Sequence, residues 1–354
     1  MSFRSDNNAG LCPEALHAIG EANAGHHVAY GDDEYTARAV AAFRNLFGAD
    51  VEVFFVATGT AANTLAIAAL TDPWQQILCH AHSHVNDDES TAPERLTHCR
   101  VVPIHSDSPT LTPDDIRRAA GHGRGDVHQV QPGVVSVANA TELGTVYGPA
   151  DMRDVCRTAH ELGYRVHVDG ARFANAVAHA ACHPRDLTVD AGVDAITFGG
   201  TKNGLAFGEA VVFFPQGGCP GWFDRAVRAF PFHRKSTGHL LSKHRFVSVP
   251  FEAVLRDGAW LTHAAHANEV AARLAGGLES LGYTLPYPTQ ANGVFVRLSS
   301  QADQHLRKRG HDYYPFGPCG LVRLMCSFDT RSADVDALLA DAGDVPMPFR
   351  RVAR

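Results

Sequence analysis

Residues 165–204 read RVHVDGARFANAVAHAACHPRDLTVDAGVDAITFGGTKNG, and this stretch decides the fold. Arg165 to Val168 is a short β-branched run closed by Asp169-Gly170, and Ala171 to His179 follows with helical spacing. Ala195 to Phe198 is a second apolar run, closed by Gly199-Gly200-Thr201-Lys202-Asn203-Gly204. A strand, a helix and another strand without polar alternation describe neighbouring parallel strands buried on both faces.

The same texture extends outward. Val53 to Val56, Ile77 to His80, Val101 to Ile104, Val134 to Ala138 and Ala210 to Phe214 read as further strands. Thr60 to Leu70 and Pro149 to Leu162 read as helices, the latter with proline in its first turn and Gly163 at its stop. The fold class expected is α/β, a mostly parallel sheet sandwiched by helices. After Pro215 the Gly/Pro-rich run PQGGCPGW interrupts this pattern. A long helix from Asp257 to Leu281 then leads to strands at Gly293–Leu298 and Leu321–Ser327, with helices near Gln301–Arg309 and Ala333–Leu339. The expected division is an N-terminal arm and large domain over 1–255, and a small C-terminal α+β domain over 256–354.

Composition narrows the function. With 354 residues and a hydrophobic fraction of 45%, the chain can bury a large core without disulfides. A net charge of −7, with no dense Lys/Arg block, offers no footprint for nucleic acid or an anionic membrane. The start, MSFRSDNNAG, lacks a signal-peptide core, and Val51 to Leu70 carries too many polar residues for a membrane span. Eight scattered cysteines without a CxxC pair read as reduced thiols, and the expected location is the cytoplasm. Only four lysines occur, Lys202, Lys235, Lys243 and Lys308, so the first lies in the glycine-rich turn quoted above.

Ligands of open α/β sheets bind beyond the carboxyl ends of the strands. Three such ends carry chemistry here. After Val56 comes Ala57-Thr58-Gly59-Thr60-Ala61-Ala62-Asn63, a small-residue turn opening a helix, either an ordinary connection or an anion cradle. It is neither a GK[ST] loop nor a GxGxxG turn. Asp169 is either a helix cap or an acid facing a ligand. Lys202 is either a solvated loop charge or an amine for Schiff-base chemistry, for which burial favours the neutral form. A phosphate cradle, an acid and a lysine together are what pyridoxal phosphate requires. A rival reading starts from His80, His82 and His84, which share one face if that segment is extended, as ligands of a metal-dependent hydrolase could. No HExxH accompanies them.

The residues also resemble a known family, the threonine aldolases and β-eliminating lyases among the fold-type I pyridoxal phosphate enzymes. The likeness runs through Phe3-Arg4-Ser5-Asp6-Asn7, Ala29-Tyr30-Gly31-Asp32-Asp33 and Thr58-Gly59-Thr60-Ala61-Ala62-Asn63. It continues through His84, His167-Val168-Asp169-Gly170-Ala171-Arg172, Thr201-Lys202-Asn203-Gly204 and Val322-Arg323-Leu324. The resemblance implies an aspartate aminotransferase-like large domain and a homotetramer or dimer with active sites at a subunit interface. It implies Lys202 as the cofactor's covalent anchor, Gly59 and Thr60 on its phosphate, and Asp169 on its pyridinium nitrogen. His84 would stack on the ring and serve as base for the substrate hydroxyl. Ser5, Arg172 and Arg323 would hold the substrate carboxylate, Arg172 also lying near the cofactor's phenolic oxygen. From His233-Arg234-Lys235-Ser236, Arg234 would reach the phosphate across the interface. No metal is implied. The implied reaction is retro-aldol cleavage of L-β-hydroxy-α-amino acids (L-threonine, L-allo-threonine, phenylserine) to glycine and an aldehyde. The nearest alternative within the family is β-elimination. One departure stands out: where many relatives carry Asn-Thr-His, this chain has Asn139-Ala140-Thr141-Glu142-Leu143-Gly144, so hydroxyl deprotonation is expected to differ.

Overall fold

The computed structural model of the protein describes residues 2–48, 50–121, 124–215 and 221–345. Seven strands form one sheet: β1 (Glu52–Val56), β2 (Gln75–His80), β3 (Arg100–Ile104), β4 (Gln131–Ala138), β5 (Arg165–Gly170), β6 (Ala195–Gly199) and β7 (Glu209–Phe213). Their order is β1-β7-β6-β5-β4-β2-β3, and the five contiguous strands from β3 to β6 run parallel. β7 is the exception, antiparallel to both β6 and β1. A three-residue helical turn and a short loop join β6 to β7, too little chain for a parallel crossover.

Burial explains the apolar strand sequences. All five residues of β6 and all five of β7 are buried, as expected of strands covered on both faces. The helix Gly59–Leu70 is apolar nearly all round and buried from Ala61 to Ala66, so it packs as a core helix. Phe198, at the end of β6, meets Phe43 edge-on with centroids 5.1 Å apart and lies 5.3 Å from Trp260, which fixes the strand end beneath the lysine turn. Gly199 is needed there: a Cβ would collide with the Ala171 backbone at the end of β5. The two strand ends are thereby drawn together.

A second, antiparallel sheet contains β8 (Gly293–Arg297), β9 (Tyr314–Pro315) and β10 (Leu321–Met325), in the order β8-β10-β9. The helix Ala259–Ser280 begins in the large core at Trp260 and Ala264 and ends in the second core at Val270 to Leu278. The N-terminal arm also belongs to that second core. Phe3 is fully buried, donates its amide to the Asp312 carbonyl at 2.8 Å and accepts from the Met325 amide at 2.7 Å. Among the described residues the cysteines are free, and no helix is long and apolar enough to cross a membrane. Most of the PQGGCPGW segment, residues 216–220 with Cys219, lies outside the described residues.

Candidate active site

The carboxyl ends of β1, β5 and β6 point the same way, and a cavity of about 350 Å³ opens beyond them, lined by Gly59, Thr60, His84, Asp169 and Lys202. Thr58 caps the Gly59–Leu70 helix, its hydroxyl accepting the Ala61 amide at 3.3 Å. The amides of Gly59 and Thr60 belong to the first turn, where a helix has no internal acceptors to offer. A Cβ on Gly59 would meet nothing within 4 Å, so the helix start is open to a ligand.

Asp169 stands at the end of β5, in register with Thr197 of β6. Its Oδ2 accepts from Asn63 Nδ2 at 2.8 Å and its Oδ1 from the Ala171 amide at 3.0 Å. Burial opposes ionisation, but the Lys202 charge, the Ala171 N–H and the nearby His84 outweigh it, and the carboxyl is held below its ordinary pKa. Two residues earlier on the same face, His167 is fully enclosed, with Nδ1 3.0 Å from Ser136 Oγ and Nε2 3.2 Å from Thr197 Oγ1. Burial lowers its pKa to about 4, so it remains neutral at physiological pH.

His84 opens a four-residue helix after β2. Its Nδ1 lies 2.8 Å from Glu89 Oε1, and Asn63 Nδ2 donates to that same oxygen at 3.0 Å. The bond to Glu89 raises the pKa of His84 in spite of partial burial. The His84 backbone amide donates to Glu142 Oε1 at 3.0 Å. Glu142 lies deep in the protein yet keeps part of its surface open, and burial followed by the Asp169 charge pushes its pKa up to about 7. Glu209, at the start of β7, lines the cavity as well. It accepts the Gly200 amide at 2.7 Å, and burial lifts it to about 7.

Arg172 follows β5 and is clamped by Asp6, Nε to Oδ2 at 2.7 Å and Nη2 to Oδ1 at 2.9 Å. Asn292 Nδ2 adds a third hydrogen bond to Asp6 at 3.1 Å. Burial disfavours each charge, but the pairing prevails on both sides: Asp6 is pushed down and Arg172 up. Arg323, on β10, lies 5.6 Å from the rings of both Tyr314 and Phe316, and its buried Nε has no hydrogen-bond partner among the described residues. Burial, and then the Arg172 charge, lower its pKa. Ser5 caps the short turn that presents Asp6, accepting the Asn7 amide at 3.2 Å.

The structure thus brings Gly59, Thr60, His84, Asp169 and Lys202 to one cavity, while Ser5, Arg172 and Arg323 belong to the contact between the arm, β5 and β10. Arg234 sits elsewhere in its own chain, donating to the Phe55 carbonyl at 3.3 Å with His244 Nε2 3.5 Å away. The expected shared face of His80, His82 and His84 does not form. His80 ends β2, with Nδ1 accepting the His82 amide at 3.1 Å and Nε2 3.1 Å from the Ser108 carbonyl. The chain then turns, and His84 points to Glu89. The segment is not extended, so the metal-ligand reading loses its geometric basis.

Sequence reading left Asp6, Asn63, Glu89, Glu142, Glu209 and Asn292 without roles. Asn63 had a local signal, lying one helical turn after Gly59 on the cavity side. The other five are placed by tertiary contacts. The donor set fits pyridoxal phosphate: an amine, an ionised buried carboxylate and an open helix N-terminus converge on one cavity.

Known proteins share this arrangement of chain. Residues 2–301 match the family model described as Beta-eliminating lyase. The low specificity L-threonine aldolase of Pseudomonas sp. (strain NCIMB 10558) is 45% identical over 343 residues, covering 96% of this chain and 96% of that protein. A solved threonine aldolase from Leishmania major superimposes with a TM-score of 0.88 at 27% identity, covering 96% of this chain and 98% of that one. A solved SPT holding pyridoxal phosphate, 18% identical, reaches a TM-score of 0.68 over 97% of this chain and 86% of that one, a likeness of fold alone.

Proposed function

The chain belongs to the β-eliminating lyase family, and from that premise we propose that it is a pyridoxal phosphate-dependent aldehyde-lyase. Its substrates are L-β-hydroxy-α-amino acids, L-threonine and L-allo-threonine first and phenylserine among the larger ones, and its products are glycine and an aldehyde. The observation that carries the reading is the convergence of the Lys202 amine, the Asp169 carboxylate and the Gly59–Thr60 helix start on one cavity, in a chain so similar to a threonine aldolase.

Lys202 anchors the cofactor through its amine. The amides of Gly59 and Thr60 receive the phosphate at the positive end of the helix dipole. Asp169, held ionised, keeps a proton on the pyridine nitrogen. The cofactor, when bound, supplies a sink for the electron pair of the broken Cα–Cβ bond. Arg172, oriented by Asp6, and Arg323, whose Nε is unpartnered among the described residues, grip the substrate carboxylate, and Ser5 completes that end. His84 stacks against the ring and addresses the β-hydroxyl. Arg234 reaches the phosphate of a neighbouring subunit, so the working form is a homo-oligomer, tetramer or dimer, in the cytoplasm.

Product analysis tests the reaction. With L-threonine the enzyme should release glycine and acetaldehyde in equal amounts. A keto acid and ammonia in their place, from threonine, allo-threonine and phenylserine alike, would establish β-elimination and reject the aldolase reading.

A further inference from the structure

Three side chains that the cofactor chemistry does not use meet beside the Lys202 turn. Cys12 caps the helix Pro13–Ala22, Glu14 lies in the first turn of that helix, and His263 comes from near the start of Ala259–Ser280. One donor atom from each, the Cys12 sulfur, a Glu14 carboxylate oxygen and a His263 ring nitrogen, lies within 4.8 Å of the other two. Glu14 Oε2 and His263 Nε2 are 3.1 Å apart. Two ligands of one tetrahedral zinc ion, each on a bond of about 2.0–2.1 Å, stand about 3.3 Å from each other, so this pair is already spaced as ligands are. The sulfur, no further than 4.8 Å from either, has at most about 1.3 Å to close to the spacing that a zinc–sulfur bond of about 2.3 Å sets. Cys12 is fully buried, while the Glu14 side chain is 39% exposed and lines a surface cavity of about 470 Å³, which gives an ion a way in.

A second group, His305, Asp341 and Asp344, is equally close, but Asp341 there is already held by Arg309 at 2.7 Å and by His311 at 2.8 Å. The ion-pair partner of Glu14 is His263, itself one of the three donors. The place in the fold also gives the first group a consequence. The Cys12 amide donates to the Gly204 carbonyl at 2.7 Å, and Gly204, at φ +96°, would bring a Cβ to within 2.9 Å of the Cys12 Cβ. From the other helix, the Trp260 carbonyl accepts from Asn203 Nδ2 at 2.9 Å. The two residues after Lys202 are thus held by the same two segments that carry the three donors.

We propose that Cys12, Glu14 and His263 bind one zinc-class divalent cation, with water in the fourth position, as a clamp on the two segments that support the Lys202 turn. A thiolate, an imidazole and a carboxylate form a borderline-soft set suited to Zn²⁺, whereas Mg²⁺ and Ca²⁺ take oxygen ligands. On binding, the Cys12 S–H bond breaks as the sulfur–metal bond forms, and the proton passes to solvent. Neutral His263 shifts its ring proton to Nδ1, and its hydrogen bond to Glu14 gives way to two metal bonds.

The test is a zinc titration of holoenzyme first stripped of metal with a chelator, read by metal content after dialysis and by melting temperature. The wild type should take up one Zn²⁺ per chain that Cys12→Ser, Glu14→Ala and His263→Gln do not hold, and should melt higher with it. Loss of a ligand should weaken this binding by at least about 100-fold, since loss of a mere supporting partner costs 10–100-fold, and should erase the rise in melting temperature. Co²⁺ in place of zinc should give the visible bands of a tetrahedral thiolate site, absent in Cys12→Ser. Glu14 is part-exposed on a helix surface, so Glu14→Ala tests the site even if Cys12→Ser fails to fold. A wild type that takes up no zinc, or undiminished affinity in Glu14→Ala and His263→Gln, overturns the proposal, as does ready displacement of the zinc by Mg²⁺.

Discussion

Asp169 and Lys202 stand at and just beyond the ends of neighbouring parallel strands, where sheet register and the close approach at Gly199 bring both to one cavity. The arginine pair proposed to grip the substrate carboxylate is assembled in another manner. Arg172 is oriented by Asp6, 166 residues distant in sequence, and Asp6 in turn by Asn292, 286 residues distant. The first region inherits its geometry from the core of the sheet. The second exists only while the N-terminal arm remains docked through Phe3 against β10. The contrast teaches that cofactor chemistry and substrate grip can fail separately.

Two substitutions probe that separation. Asp169→Ala should produce the larger catalytic effect, lowering kcat by at least about 10²-fold, since it removes the preorganised charge that stabilises the pyridinium while leaving the grip intact. Steady-state kinetics should show KM for L-threonine nearly unchanged. Asp6→Ala should do the converse. Arg172 loses its orienting partner, so KM should rise about tenfold with a smaller change in kcat and full cofactor occupancy by absorbance, a penalty of about 1.4 kcal/mol in binding. Removing one member of a buried ion pair should also destabilise the fold by roughly 3–5 kcal/mol, measurable as a lower denaturation midpoint. If Asp6→Ala emptied the protein of cofactor, the two regions would be one unit and the contrast would fail.

The two regions also differed in how far sequence revealed them. The strand ends were readable because each is local: an apolar run, a small-residue turn and one chemically distinctive side chain. Helix and strand positions in the second half, such as Ala259–Ser280 and β8, followed from their spacing for the same reason. The reversal of β7 was not readable, because a fully buried strand is apolar whichever way it runs. Asp6 looked like one more polar residue in an arm, and only the fold brings it to Arg172. Glu142 looked like a missing histidine, and its raised pKa arises from burial and from Asp169, both products of the tertiary structure. The histidine cluster misled in the opposite sense, since alternate spacing implies one face only in an extended chain and this chain turns after His80.

The central claim, that the strand-end cavity holds pyridoxal phosphate on Lys202, is most directly tested by reducing the yellow holoenzyme with borohydride and mapping the modified peptide. The chain has only four lysines, so the assignment is unambiguous. A single pyridoxyl group on Lys202 is the predicted result. A colourless, unmodified protein, or a label on Lys235, Lys243 or Lys308, would contradict it.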